Sequence, residues 1–92
     1  MPQIFKHGKY RVYFWTNEND PLEPVHVHVI EGQPRANATK LWITQTGRAV
    51  LCNNASRISP YELRKLIKVI EANSDLIIKT WYSCFGEIDY YC

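Results

Sequence analysis

Val25-His26-Val27-His28-Val29-Ile30, followed by Glu31-Gly32-Gln33-Pro34, is the stretch on which the fold turns. Its alternation has the two-residue period of a strand, so His26 and His28 share one face while the valines point to the other. The branched residues suit a pleated, half-buried surface, and the Gly and Pro that follow supply turn chemistry, which ends the strand at residue 30. Upstream, Tyr10-Arg11-Val12-Tyr13-Phe14-Trp15 reads as another strand, and Asn17-Glu18-Asn19-Asp20-Pro21 breaks it. Downstream, Thr39, Leu41 and Ile43 alternate with Lys40, Trp42 and Thr44 in a strand over residues 36–44. Gly47 turns the chain into a short strand over residues 48–52. Parallel neighbours would need crossover connections that this spacing leaves no room for, so the strands form an antiparallel meander.

A helical half follows. Ser59-Pro60-Tyr61-Glu62 places Ser at the N-cap, Pro at the first helical position and Glu at the third, the pattern of a capping box. Ile58 and Leu63 stand at the two positions of a hydrophobic staple. Leu63, Leu66, Ile67 and Ile70 recur at helical spacing, with Arg64, Lys65, Lys68 and Glu71 opposite, so this helix covers a sheet with one face. Asn73-Ser74 ends it and caps a second helix with an apolar stripe of Ile77, Trp81, Cys84 and Phe85, stopped by Gly86. On that stripe Cys84 is expected to be a buried small hydrophobe, with Cys92 exposed at the terminus. The expectation is one α+β domain over residues 1–92: an antiparallel sheet of about four strands within 1–55, two C-terminal helices within 59–86 packed on one face, and a tail at 87–92 without periodicity.

Composition narrows the function classes. The 92 residues are 46% hydrophobic with three Trp, six Tyr and three Phe, which fits an ordered core rather than a disordered tail. Cys52, Cys84 and Cys92 are odd in number and form no CxxC pair, against a disulfide framework or a thiolate zinc site, and they point to a reducing cytoplasm. No stretch has the apolar length of a membrane span, and the first residues lack a signal-peptide core. The net charge of +2 implies no nucleic-acid partner by itself, but the charges are blocked. Glu18, Asp20, Glu23 and Glu31 make residues 17–31 acidic, whereas Arg35, Lys40, Arg48, Arg57, Arg64, Lys65 and Lys68 face only Glu62 between residues 32 and 70. Ordinary solvated faces would also give this pattern.

His26 and His28 are the candidate chemical pair. Their Cα atoms lie about 6.6 Å apart at the rise of a strand, so two imidazole nitrogens can converge on one ion, with His7, Asp20 or Glu23 as third ligand. Alternatively, one imidazole takes a proton from a ribose hydroxyl and the other protonates the leaving oxygen, with Lys6, Lys9 or Arg11 on the phosphate. The competing structural reading has both rings bonded to backbone carbonyls or to a carboxylate such as Asp20. Arg64, Lys65 and Lys68 are candidate phosphate contacts on a helix surface, with a solvated face as the simpler account. Trp15, Trp42 and Trp81 offer base-stacking area, but without an accompanying RNA-binding motif they read as core. No cofactor is called for.

Met1-Pro2 with Ile4 and Phe5, His7-Gly8, the aromatic strand ending near Asn17-Glu18, Asp20-Pro21, His26-Val27-His28-Val29, Ser59, Glu62-Leu63 and Trp81 together resemble the bacterial domain-of-unknown-function family 4160. The resemblance runs to Gly86 and implies a small α+β protein encoded beside another small protein in a gene pair of toxin and antitoxin type. The family brings no established activity. Against its usual pattern this chain is longer around Leu22-Glu23-Pro24 and between Thr39 and Asn54, and adds the tail at 87–92. The functional expectation is an interaction module that binds a cognate protein and, as a second partner, nucleic acid; a homo-oligomer is also compatible. A histidine-based ribonuclease toxin and a small metal-binding protein are the alternatives, so the residues leave open whether it is an enzyme.

Overall fold

The computed structural model describes residues 3–16 and 22–92. Met1, Pro2 and the break at residues 17–21, with Asp20, lie outside the described residues. The elements in chain order are β1 (Gln3–His7), β2 (Tyr10–Tyr13), β3 (His26–Glu31), β4 (Thr39–Ile43), β5 (Ala49–Asn53), α1 (Pro60–Ala72) and α2 (Ser74–Phe85). All neighbouring strands pair antiparallel in the order β1-β2-β3-β4-β5, so the meander and the two C-terminal helices are as expected.

Among the described residues the sheet has five strands, one more than the sequence reading of about four. The extra strand is β1, whose Gln-Ile-Phe-Lys-His has no clean alternation and is paired with β2 through a register shift between Gln3 and Phe5. His7 pairs with Tyr10, leaving Gly8-Lys9 as a two-residue hairpin loop. Gly8 has φ 60°, the positive φ that the first corner of a type II′ turn requires.

One face of the sheet carries the main core. Tyr10, Val12 and Phe14 from β2 and its extension, Val25, Val27 and Val29 along β3, and Leu41 and Ile43 of β4 meet Leu66 and Ile70 of α1 and Ile77 and Trp81 of α2. The register explains the set, because Val12 faces Val29 and Val27 faces Leu41 across neighbouring strands. At about 25 cal/mol per Å² of apolar surface, each such fully buried side chain stabilises the fold by roughly 1.5–3 kcal/mol before entropy is counted. On the opposite face, which carries no helix among the described residues, Tyr13, Ile30 and Ala38 form a smaller buried cluster with Trp15 against it. Trp81 is therefore a core residue as expected, whereas Trp15 and Trp42 are half-buried on or beside the helix-free face.

The helix ends are made differently from the sequence pattern in three places. Ser59 Oγ accepts the Glu62 N–H at 3.3 Å, the first half of a capping box. The Glu62 carboxylate instead accepts the Tyr10 hydroxyl, tying α1 to β2; burial and then this carboxylate push the Tyr10 hydroxyl up to about 12. Asn73 gives no side-chain cap to α2; its Nδ2 donates back to Val69 O at 2.8 Å and closes α1. Cys84 is exposed rather than buried. The inward stripe of α2 runs through Ser74, Ile77, Trp81 and half-buried Ile78 and Phe85, which turns its centre away from Cys84. Gly86 ends α2 in the left-handed conformation, its N–H donating to Tyr82 O.

Two close approaches complete the frame. Gly47, at φ 82°, sits where a Cβ would stand 2.8 Å from Ser74 Oγ, so the β4–β5 turn packs on the start of α2 only with glycine there. The tail is docked although it is irregular. Val25 N–H donates to Asp89 O at 2.9 Å and Gln45 N–H to Cys92 O at 3.1 Å, while Ile88 and Tyr90 pack on the core.

Candidate functional site

The two histidines lie as the alternation requires, at one end of β3, with ring centroids 5.0 Å apart and planes nearly perpendicular. Their environments differ. His26 is fully buried, its ring packed against Trp81 at 5.1 Å and Trp42 at 5.7 Å. Its Nδ1 lies 2.9 Å from Pro24 O; a carbonyl can only accept, so Nδ1 carries the proton in this bond. His28 is half-buried and packs on Tyr13 at 5.4 Å.

The proposed helpers of the pair are spread out. His7 stands two strands over, in the row of Tyr10 and Glu31, and Glu31 is itself about 16 Å from His26 along β3 at the rise of a strand. Glu23 accepts from Lys40 Nζ at 2.7 Å, and Asp20 lies outside the described residues. Among the described residues no three His, Cys, Asp or Glu side chains are grouped to hold a metal ion. Arg11 and Lys6 face one another in register, in the row that continues to Ile30, one same-face step from His28; Arg11 donates to Gln3 Oε1. The cation directly opposite His28 is Lys40, a residue the sequence reading did not place there. It lies 4.4 Å from the Trp42 ring centroid, while Tyr91 of the tail stacks on that ring at 4.9 Å.

The basic residues do not form one patch. Lys9, at the β1–β2 loop, lies 3.7 Å from Glu31 and 3.9 Å from Glu62. Lys65 covers the Tyr61 ring on the flank of α1 that faces this loop. Arg64 shares the other flank with Glu71, seven residues on, and Lys68 stands beside them on the outer surface. That flank overlooks β5.

The β5 edge bears none of the residues that the sequence marks out for chemistry. Ala49-Val50-Leu51-Cys52-Asn53 has no charged side chain, is last in the strand order and is exposed from Val50 onward, with Val50 at 37% and Leu51 at 42%. Thr44 N–H bonds to Arg48 O, and Ile43 and Leu41 face Ala49 and Leu51. In an antiparallel ladder this alternation turns the main-chain groups of Val50 toward β4 and those of Ala49 and Leu51 outward. The outward Ala49 N–H is taken by Glu71 Oε2 at 2.9 Å, which also accepts from Arg48 Nε at 3.0 Å. The Ala49 N–H does most to hold the Glu71 carboxyl below its ordinary range; partial burial opposes it and the Arg48 guanidinium adds to it. The Leu51 groups face outward beyond this bond. The signal was present in the sequence as an apolar run without charge, but only the strand order makes it an edge.

No helix among the described residues is long and apolar enough to cross a membrane. Compared with known proteins, residues 10–82 match the sequence model of the family described as "Domain of unknown function (DUF4160)". No curated protein and no solved structure matches the chain significantly. The matched span covers β2 through most of α2, and leaves β1 and the tail outside it.

Proposed function

Because the chain belongs to the DUF4160 family, whose description assigns no activity, we infer its function from its own surface: it is an interaction module that captures a strand of a cognate protein on the β5 edge. One observation carries this reading. Natural sheets guard their edges with charge, proline or cover, and β5 presents an uncharged, apolar, exposed strand with outward main-chain groups at Leu51. The paired-gene arrangement implied by the resemblance makes the second small protein of such a pair the first partner to try, in a bacterial cytoplasm. His26, buried among Trp81, Trp42 and His28, then organises the end of the sheet.

The test co-expresses the chain with the product of the adjacent gene and follows amide exchange in the purified complex. Slowed exchange at Leu51 supports strand capture, whereas a complex that leaves Leu51 exchanging as in the free chain counts against it. Expression of the chain alone separates the module from a toxin: the module leaves growth unchanged, and an arrest relieved by His26→Ala with His28→Ala would replace this reading by the ribonuclease.

A further inference from the structure

The strand-capture reading says where a partner docks; resting on it, the surroundings of β5 say what kind of segment fits. After β5 the chain turns through residues 54–59 and α1 runs back along the strand, so that Glu71 ends beside Ala49 at the start of β5. Arg64 is seven residues earlier, about 10.5 Å along the helix axis, while β5 from Ala49 to Asn53 is about 13 Å long. Arg64, exposed, lies on the flank of α1 that carries Glu71, with Lys68, also exposed, beside it toward the outer surface, and Arg48, with its side chain 74% exposed, pairs with Glu71 at the start of β5. Glu71, the acid on that flank, is already engaged by Ala49 and Arg48.

We propose that the β5 edge takes an extended segment with acidic side chains on the helix side, where they meet Arg64 and Lys68, and apolar side chains on the other side, beside Val50. The main chain of Leu51 supplies the ladder bonds, and the cations select the sign of charge. A second copy of this chain fits worse. An isologous β5–β5 pair would bring both α1 helices to the same face of a continuous sheet, with Arg64 and Lys68 of one opposed to those of the other. Nucleic acid would use the same cations but not the Leu51 main chain.

Three blocked nine-residue peptides test this, alternating valine with glutamate, threonine or lysine, with binding read by fluorescence anisotropy at low salt and by amide exchange. The glutamate peptide binds at least about fivefold more tightly than the threonine peptide, and the lysine peptide binds weakest, with Leu51 exchange slowed in the complex. The double variant Arg64→Glu with Lys68→Glu, checked by urea unfolding to be as stable as the parent, reverses that order. Equal binding of all three with Leu51 protected overturns the acidic preference and leaves strand capture standing. A glutamate peptide that binds without protecting Leu51, or no binding by any peptide, overturns both. A single-stranded oligothymidylate that outcompetes the glutamate peptide, or self-association on concentration that protects Leu51, overturns the proposal in favour of nucleic acid or of a second copy.

Discussion

The two edges of this sheet occupy equivalent places in the topology and are finished in opposite ways. β1 carries Lys6 and His7, both exposed, and a register shift against β2, while α2 lies toward it. β5 carries neither charge nor proline, exposes Val50 and Leu51, and is held at its start by Glu71 of α1, which reaches over to Ala49. An edge is an exposed row of main-chain donors and acceptors in either case, so side-chain choice decides which one another chain can use. Here the choice leaves β5 uncharged and puts Lys6 and His7 on β1.

The largest expected effect separates the two sides of β5 itself. Val50→Pro removes a ladder bond toward β4 and orphans its acceptor, and is expected to destabilise the fold by about 2–3 kcal/mol in urea unfolding. Leu51→Pro places the missing N–H on the outer side, so its cost is expected to stay under about 1 kcal/mol while partner capture is lost. Equal destabilisation by the two would mean that the outward assignment of Leu51 is wrong.

The next effect concerns the cover that α1 provides. Glu71→Gln keeps the shape but loses the charge-assisted bonds to Ala49 and Arg48, at an expected cost of about 1 kcal/mol near neutral pH. The pH dependence follows from the lowered folded-state value. Between that value and the ordinary carboxyl value of the unfolded chain, the unfolded chain binds more protons. The contribution is therefore complete above the unfolded value and disappears as pH falls through the folded one. Thermal unfolding of parent and variant is expected to converge on acidification; a constant gap down to low pH would remove the carboxylate from the account.

The smallest effect on stability tests β1. Lys6→Val with His7→Thr gives that edge the uncharged character of β5 and is expected to change stability by no more than about 0.5 kcal/mol. Sedimentation velocity should nevertheless show new, concentration-dependent association through β1. A variant that sediments as the parent does would show that charge is not what guards this edge.

These differences were unevenly legible in the chain. The alternation at residues 25–30, the helical spacing of Leu63, Leu66, Ile67 and Ile70, and the Ser59 and Gly86 caps are local signals, and each produced its element. β1 was missed because a five-residue strand with two polar ends has almost no period to read, and its one strong sign was the Gly8-Lys9 loop. Cys84 was misplaced for a related reason: it lies at the border of a stripe whose centre depends on where the sheet sits beneath α2.

The meander, the helix boundaries and the side-by-side placing of His26 and His28 are local matters, because periodicity, turn residues and caps act over a few neighbouring residues. The enclosure of His26 by two tryptophans, the bond of Glu62 to Tyr10 instead of its own helix end, and the place of the plain run Ala49–Asn53 at the sheet edge arise only from distant contacts. Burial and strand order depend on residues far apart in the chain, and no local pattern carries that information.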